Sequence, residues 1–458
     1  AISGDIAIVG AEDEDNGGIG NSGAAYIFRR DLGGAGTWGQ VVKLTPSDPA
    51  LIDRFGTSVS IDGDTAVVGA LYHASGGIYD AGAAYVFRRN QGGADTWGQV
   101  AKLSASDAAE RMNFGYSVSI NGDTIIVGAP GGTAAYIFMR NHPSGDAWGE
   151  VAKLTPTGPD PGGGFGLSVA LSGDTAVVGC ETNAPGGLLN AGAAYIFHRN
   201  LGGGDNWGQV NKLTASDVEV EDRFGNSVAI SGDTIVVGAY GDRLAEMYWV
   251  GSAYVFARNQ GGADAWGELT KLTASDPKEY DRFAFSVAII GETVVAGSFA
   301  GLAPGGDSPG AAYVFDRNQG GSDSWGQVSK VAPSSSRNGD RFGFSVALSG
   351  DHLVAGASRA APGGTSATGA AFVFHRTGDT WSEVAKPVAP DASSSDTLGV
   401  VAMDGDVLVA GSPGDDHSAV GNAGSAYVYE RNQGGAENWG LVTKIFAADP
   451  SDDAAFGT

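Results

Sequence analysis

The stretch Phe55-Gly-Thr-Ser-Val-Ser-Ile61, Asp62-Gly63, Thr65-Ala-Val-Val-Gly-Ala70 holds the fold in miniature. An alternating, β-branched run predicts a strand, Asp-Gly after it is a two-residue hairpin signal, and the second β-branched run predicts its partner. Beyond a loop from Leu71 to Ala81, Gly82-Ala-Ala-Tyr-Val-Phe-Arg-Arg89 predicts a third strand. Asn90-Gln-Gly-Gly-Ala-Asp95 then turns the chain into a fourth, Thr96-Trp-Gly-Gln-Val-Ala-Lys-Leu103. The unit is a four-stranded antiparallel meander.

Working outward, the same unit recurs along the whole chain. Its first strand is marked by Phe55-Gly56, Phe114-Gly115, Phe165-Gly166, Phe224-Gly225, Phe283-Ala284, Phe342-Gly343, Leu398-Gly399 and Phe456-Gly457. Its fourth strand is marked by Trp38, Trp97, Trp148, Trp207, Trp266, Trp325, Trp381 and Trp439, which leaves only Trp249 outside the pattern. A sheet of about 57 residues with two apolar faces must stack on its neighbours, and four-stranded sheets repeated radially make a β-propeller. The expected fold is therefore all-β, one β-propeller domain over residues 1–458 with eight repeat units. A seven-bladed ring with one extra unit is the alternative. The end, Phe456-Gly457-Thr458, joined to the start, Ala1-Ile2-Ser3-Gly4-Asp5, rebuilds a first strand lacking only the equivalent of Ser58-Val59. Pairing of the two termini is thus expected to close the ring.

Composition narrows the partners. The 458 residues include 75 glycines, yet 42% are hydrophobic and nine are tryptophan, so a coreless low-complexity chain is excluded. Acids outnumber bases 52 to 27, and a net charge of −25 opposes nucleic acid and anionic membrane surfaces. No apolar run approaches the roughly 18 residues of a membrane span, so no direct membrane insertion is expected. The single cysteine, Cys180, stands in an alanine slot of the repeat and reads as a small buried hydrophobe. The chain opens mid-pattern and reads as a mature or trimmed segment whose targeting signal lies outside it.

Phe-Gly-x-Ser-Val, Gly-Asp-x-x-Val-Val-Gly-Ala and Gly-Ala-Ala-Tyr-Val-Phe together resemble the FG-GAP repeat that builds the propeller of integrin α subunits. The resemblance spans essentially the whole chain. It implies an extracellular or cell-surface propeller whose ligands are met on the face bearing the variable loops. Two departures stand out. Integrin propellers have seven blades where eight units are counted here, and their Asp-x-Asp-x-Asp-Gly calcium loop is replaced by Ser-Gly-Asp, Asp-Gly-Asp or Asn-Gly-Asp. The family's metal ligands therefore do not carry over to those hairpins.

In an up-and-down blade, the connections from strand two to three and from strand four to the next blade share one face. Short, near-identical hairpins such as 90–95 and 259–264 occupy the other face. The shared face is uneven: Glu12-Asp-Glu-Asp-Asn-Gly17 in unit one, Tyr72 and His73 with Tyr79 in unit two, and Tyr240-Gly-Asp-Arg-Leu-Ala-Glu-Met-Tyr-Trp249 in unit five. Unlike loops on a repeated scaffold are expected of a recognition surface. Tyr72, His73, Tyr79, Tyr240, Met247, Tyr248 and Trp249 are the expected ligand-binding residues, since aromatics and methionine anchor interfaces and stack on sugar rings. The competing reading of Trp249 folds it back over the channel or a neighbouring blade.

Calcium is the one cofactor expected. Asp13, Asp15 and Asn16 before Gly17-Gly18, and Asp415-Asp416 in unit eight, offer closely spaced oxygens in glycine-bearing loops. The recurring pairs Asp48/Asp53, Asp217/Asp222 and Asp276/Asp281 read instead as turn-forming acids that accept backbone N–H groups. No histidine pair has metal-ligand spacing, and neither a nucleophile elbow nor a phosphate loop is present. A non-enzymatic recognition or adhesion module for a protein or glycan is the expected function. A scaffold subunit of a surface assembly and an enzyme with an axial, polysaccharide-directed site are the alternatives.

Overall fold

The computed structural model describes residues 1–458 except 33, 35, 143, 159–162, 300–307, 320 and 418–419. Eight four-stranded antiparallel sheets follow one another, each with its strands in sequence order, and no α-helix occurs among the described residues. Blade two has strands Phe55–Asp62, Thr65–Ala70, Ala83–Arg89 and Trp97–Leu103. Asp62 pairs with Thr65 across the expected hairpin, whose Gly63 takes φ 52°. The first strands touch one another from blade to blade around the axis, and blade eight meets blade one through the same strands. The ring therefore has eight blades, one more than the integrin resemblance implies.

The core lies between blades rather than within them. Phe55 at the entry to blade two packs edge-on against Tyr85 and Phe87 of its third strand, at 5.5 and 6.0 Å between centroids. These rings share a cluster with Ile8, Ile27 and Leu44 of blade one. Glycine is required where blades touch: a Cβ on Gly69 would overlap the Gly115 carbonyl oxygen of the next blade. The same logic joins the ends of the chain. Phe456 packs on Tyr26 at 5.1 Å, and Gly457 N–H donates to the Gly10 carbonyl at 2.9 Å.

A polar clasp repeats at every seam that carries its residues. Asp48, in the connector leaving blade one, accepts from the Tyr85 hydroxyl at 2.9 Å and from Lys102 at 2.6 Å in blade two. Asp217, Asp276 and Asp391 do the same with their Tyr–Lys pairs, and Asp449 reaches Lys43 of blade one at 2.8 Å. The second acid of each pair is the turn former expected: Asp53 accepts from Ala50 N–H at 2.6 Å and Asp281 from Lys278 N–H at 3.1 Å. Asp48 and its equivalents hold side chains across the seam rather than backbone. No helix is long and apolar enough to cross a membrane among the described residues.

Candidate functional site: the mouth of the variable face

Two positions of the repeat contribute lining residues to a cavity on the variable-loop face. One follows the Phe-Gly marker, and around the ring it reads Thr57, Tyr116, Leu167, Asn226, Phe285, Phe344, Val400 and Thr458. The other follows the second strand and reads Glu12, Leu71, Pro130, Glu181, Tyr240, Phe299, Ser358 and Pro413. A cavity of about 510 Å³ opens there between blades three and six, lined by Tyr116, Glu181, Tyr240 and Phe285 with Ser117, Ser168, Ser227 and Ser286 of the inner strands.

Aromatic residues gather on one arc of this mouth. Tyr240 lies 5.6 Å from Trp249 and 5.5 Å from Phe285, centroid to centroid. Phe285 meets Phe299 at 4.5 Å and stacks on Phe344 at 5.6 Å. Blades five, six and seven thus supply a continuous aromatic strip. Trp249 is held at φ 55°, with its carbonyl accepting from Arg282 N–H at 2.9 Å. It is half-buried, packed against Tyr240 and under Arg282 of the connector into blade six.

Arginines interleave with the rings. Arg282 lies over Trp249 at 5.5 Å and over Phe299 at 5.3 Å. Arg243 covers Tyr248 at 4.1 Å, a contact that leaves the tyrosine 43% exposed. Burial and the neighbouring Arg359 and Arg282 guanidinia hold the Arg341 guanidinium below its ordinary pKa. Elsewhere the equivalent arginine is neutralised. Arg54 meets Asp13 at 3.2 Å, and Arg223 meets Glu221 at 2.8 Å and Glu181 at 4.0 Å. Burial pushes the Glu181 carboxyl up while Arg223 pulls it down.

The other expected residues disperse. Tyr79 is 61% exposed, and Tyr72 packs under Arg54 at 5.6 Å, both on blade two and outside the aromatic arc. Met247 closes its loop through backbone hydrogen bonds with Leu244. His73 needs correction as a ligand contact: it is 4% exposed, with Nδ1 2.9 Å from Asp53 and Nε2 2.8 Å from Lys102. It occupies an inward-facing slot over the clasp, which Glu14, Asp242 and Asp415 fill in other blades.

The acidic loops are drawn into the same internal bonding. Asp13 also accepts from Asn21 Nδ2 at 3.1 Å, and Asp15 accepts from Asn21 N–H at 2.7 Å. Asn16 is buried and donates to the Gly23 carbonyl and to Ser22 Oγ. Asp415 is buried against Lys444 at 2.6 Å and Tyr427 at 3.1 Å, while Asp416 accepts from Asn422 N–H at 2.9 Å. The two sets do not converge on one point. Among the described residues, the side chains whose donor atoms could meet on one ion are His352, His375 and Glu437. His352 and His375 are cross-strand partners, so their gathering is invisible in linear spacing. Glu437 Oε2 lies 3.1 Å from His352 Nε2 and 3.6 Å from His375 Nδ1. This trio takes the place at the blade seven–eight seam that the Arg29–Asp95 ion pair takes between blades one and two.

Phe285, Phe299, Phe344 and the arginines of this arc escape a reading of loops alone. Their signal is variation inside an otherwise repeated motif: Phe-Gly-x-Ser-Val admits Phe at x only in blades six and seven.

Among solved structures, a 6-phosphogluconolactonase-like protein from Bacteroides uniformis is 12% identical with a TM-score of 0.50, covering 84% of this chain and 97% of that one. A second such protein, from Bacteroides fragilis, is 12% identical with a TM-score of 0.49 over 98% of each chain. Saccharomyces cerevisiae Sqt1 is 11% identical with a TM-score of 0.48, covering 87% and 94%. At such identity the likeness is one of fold. No curated protein matches the chain in sequence. The FG-GAP repeat matches residues 38–87, 97–138, 148–197, 207–256, 266–315, 325–374 and 381–429. Each match runs from the outer strand of one blade to the third strand of the next. The stretch equivalent to an eighth is divided between the C-terminal strand Trp439–Ile445 and blade one. With matches over most of its length and an eight-bladed ring to house them, the chain belongs to the FG-GAP repeat family.

Proposed function

We propose that this propeller is a non-enzymatic recognition module, working outside the cell or at its surface, that holds a glycan across the axial mouth of its variable face. The strip Tyr240–Trp249–Phe285–Phe344, two of whose rings, Tyr240 and Phe285, line a cavity of about 510 Å³, carries the reading. Partly exposed aromatic faces suit sugar rings, and a binding protein needs no catalytic constellation beside them. The test is a titration of intrinsic tryptophan fluorescence with a panel of neutral and charged oligosaccharides, on wild type and Tyr240→Ala. Saturable binding weakened roughly tenfold by Tyr240→Ala is expected. Binding that ignores this substitution would place the ligand elsewhere.

A protein ligand is the second reading. It is favoured by the exposed Leu51, Ile52, Tyr79, Leu189 and Val220, all on the variable face outside the aromatic arc.

A further inference from the structure

The repeat places an arginine just before the Phe-Gly marker in four blades: Arg54, Arg223, Arg282 and Arg341. Arg54 and Arg223 lie 3.9 and 4.0 Å from Glu12 and Glu181, the residues that follow the second strand of the preceding blade, and the equivalent positions before Arg282 and Arg341 are Tyr240 and Phe299. The first two arginines therefore have acids supplied by the scaffold. The last two have rings at the equivalent position, and Arg282 lies over Trp249 and Phe299.

The contrast extends to the rest of the chain. Arginines of the other blades have a carboxylate within 4.0 Å, from Arg29–Asp95 in blade one to Arg431–Asp406 in blade eight. Among the described residues, the arginines with none are Arg243, Arg282, Arg337, Arg341 and Arg359. All five lie in the variable-face loops and connectors of blades five to seven. In a chain of net charge −25, this gathers the arginines without a close carboxylate on one arc, and Arg282 among them borders the aromatic strip. A half-buried guanidinium without a carboxylate is stabilised by gaining one, and its planar fork binds carboxylates two-handed.

We propose that Arg282 and Arg341, with Arg359 at the rim, bind the carboxylate of an acidic sugar whose ring stacks on the adjoining aromatic strip. This rests on the glycan reading of the mouth and names its ligand class: a uronate-type oligosaccharide rather than a neutral one. Arg54, at the same repeat position but closed by Asp13, takes no part.

The probe is a galacturonate hexasaccharide, titrated against its fully methyl-esterified form, which keeps the rings and removes the charge. A short probe is chosen because the acidic surface repels a long polyanion. The free acid is expected to bind at least roughly tenfold tighter than the ester, as charge-assisted hydrogen bonds require. Arg341→Gln and Arg282→Gln should each erase that preference, while Arg54→Gln should leave it intact. Thermal melts of all three variants show whether each is folded, and the unchanged ester affinity of a folded variant confirms an intact mouth. Equal binding of acid and ester, still weakened by Tyr240→Ala, would overturn the carboxylate assignment while leaving the glycan reading standing. Binding lost equally in Arg54→Gln, or matched by dextran sulfate and abolished by modest salt, would reduce the arc to a diffuse charge effect and overturn the proposal. Failure of both sugars to bind any form of the protein would remove the glycan reading itself, and the assignment with it.

Discussion

Arg54 and Arg341 occupy one position of one repeat, and the molecule treats them oppositely. At blade two the Arg54 guanidinium meets Asp13 at 3.2 Å and Glu12 at 3.9 Å and lies over Tyr72. At blade seven the neighbours of Arg341 are two further arginines, and Phe299 stands where Glu12 would be. The backbone is the same in both places, with φ of 52° and 59°. The difference is carried by one or two side chains per blade. A ring of equivalent units becomes a site when its repeat positions stop being filled alike.

That comparison presumes an equivalent scaffold under both arcs, and the largest expected effect tests it. A Cβ on Gly10 would overlap the Gly56 carbonyl oxygen, and one on Gly238 the Ala284 carbonyl oxygen. Backbone cannot yield as a side-chain tip can. Gly10→Val and Gly238→Val should therefore each cost more than the roughly 1–3 kcal/mol of ordinary overpacking and prevent recovery of folded protein. Circular dichroism and yield are the measurements. A well-folded Gly238→Val would show that the blade five–six seam is looser than its counterpart.

Next in size is an exchange of character between arcs. Tyr240→Glu gives Arg282 the partner that Arg54 and Arg223 already have. It should abolish the preference for the galacturonate acid over its ester, reduce binding of both by roughly tenfold or more, and leave the melting temperature within about 2 °C. Retained preference for the acid would mean that Arg282 does not meet the ligand.

These variants also show how much was legible beforehand. The blades could be read because hairpin signals, alternation and one tryptophan per unit all agree with the fold. Tyr240 and Trp249 were legible because they interrupt the repeat in a loop. Phe285 and Phe344 sit inside Phe-Gly-x-Ser-Val and read as ordinary strand residues until the strand proves to line the axis. Arg282 and Arg341 belong to an Asp-Arg-Phe turn motif whose acid is structural, and nothing local distinguishes them from Arg54. Their meaning comes from the preceding blade, 42 residues or so away, a distance only the ring geometry spans. His73 and Asp415 misled for the converse reason: polar loop residues read as exposed, but the slot over the Tyr–Lys clasp draws them inside, while Asn16 is buried by its bonds to Ser22 and Gly23.

A smaller contrast exists at the rim, where pH separates two seams. Burial holds the His352 imidazole below its ordinary pKa, so the folded state favours the neutral ring. The unfolded chain takes up its proton near pH 6.5, so the stability contributed by the neutral ring is present above that value and is lost as pH falls below it. The Arg29–Asp95 ion pair holds the Asp95 carboxyl low, so it persists over the same range. His352→Thr, which installs the residue found at Thr65, should reduce the fall in melting temperature between pH 7.5 and 5.5 by about 1–2 °C. Arg29→Gln should shift both values alike. Equal pH profiles for wild type and His352→Thr would deny His352 this role.

The smallest effect concerns the acids of the opposite arc. Asp13 is spent on Arg54 and Asn21, one oxygen of Asp15 and one of Asp416 are spent on backbone amides, and Asn16 and Asp415 are buried in internal bonds. A calcium ion taking six to eight oxygens would have to displace these partners before gaining ligands. Any ion held only by the folded state must raise its stability in proportion to occupancy. The same sample melted with 2 mM calcium and with excess chelator should therefore differ by less than about 1 °C. Glu12→Gln with Asp13→Asn should lower the melting temperature slightly, since a half-exposed ion pair contributes about 1 kcal/mol or less. That double variant should also leave Arg54 as bare as Arg341. If it then gains weak affinity for the galacturonate acid and not for its ester, the arcs differ only in who supplies the carboxylate. If it gains none, the aromatic strip is as necessary as the free guanidinium. A melt shifted several degrees by calcium, with stoichiometric metal bound, would instead make the acidic arc a metal site and put Asp13 in its service rather than in that of Arg54.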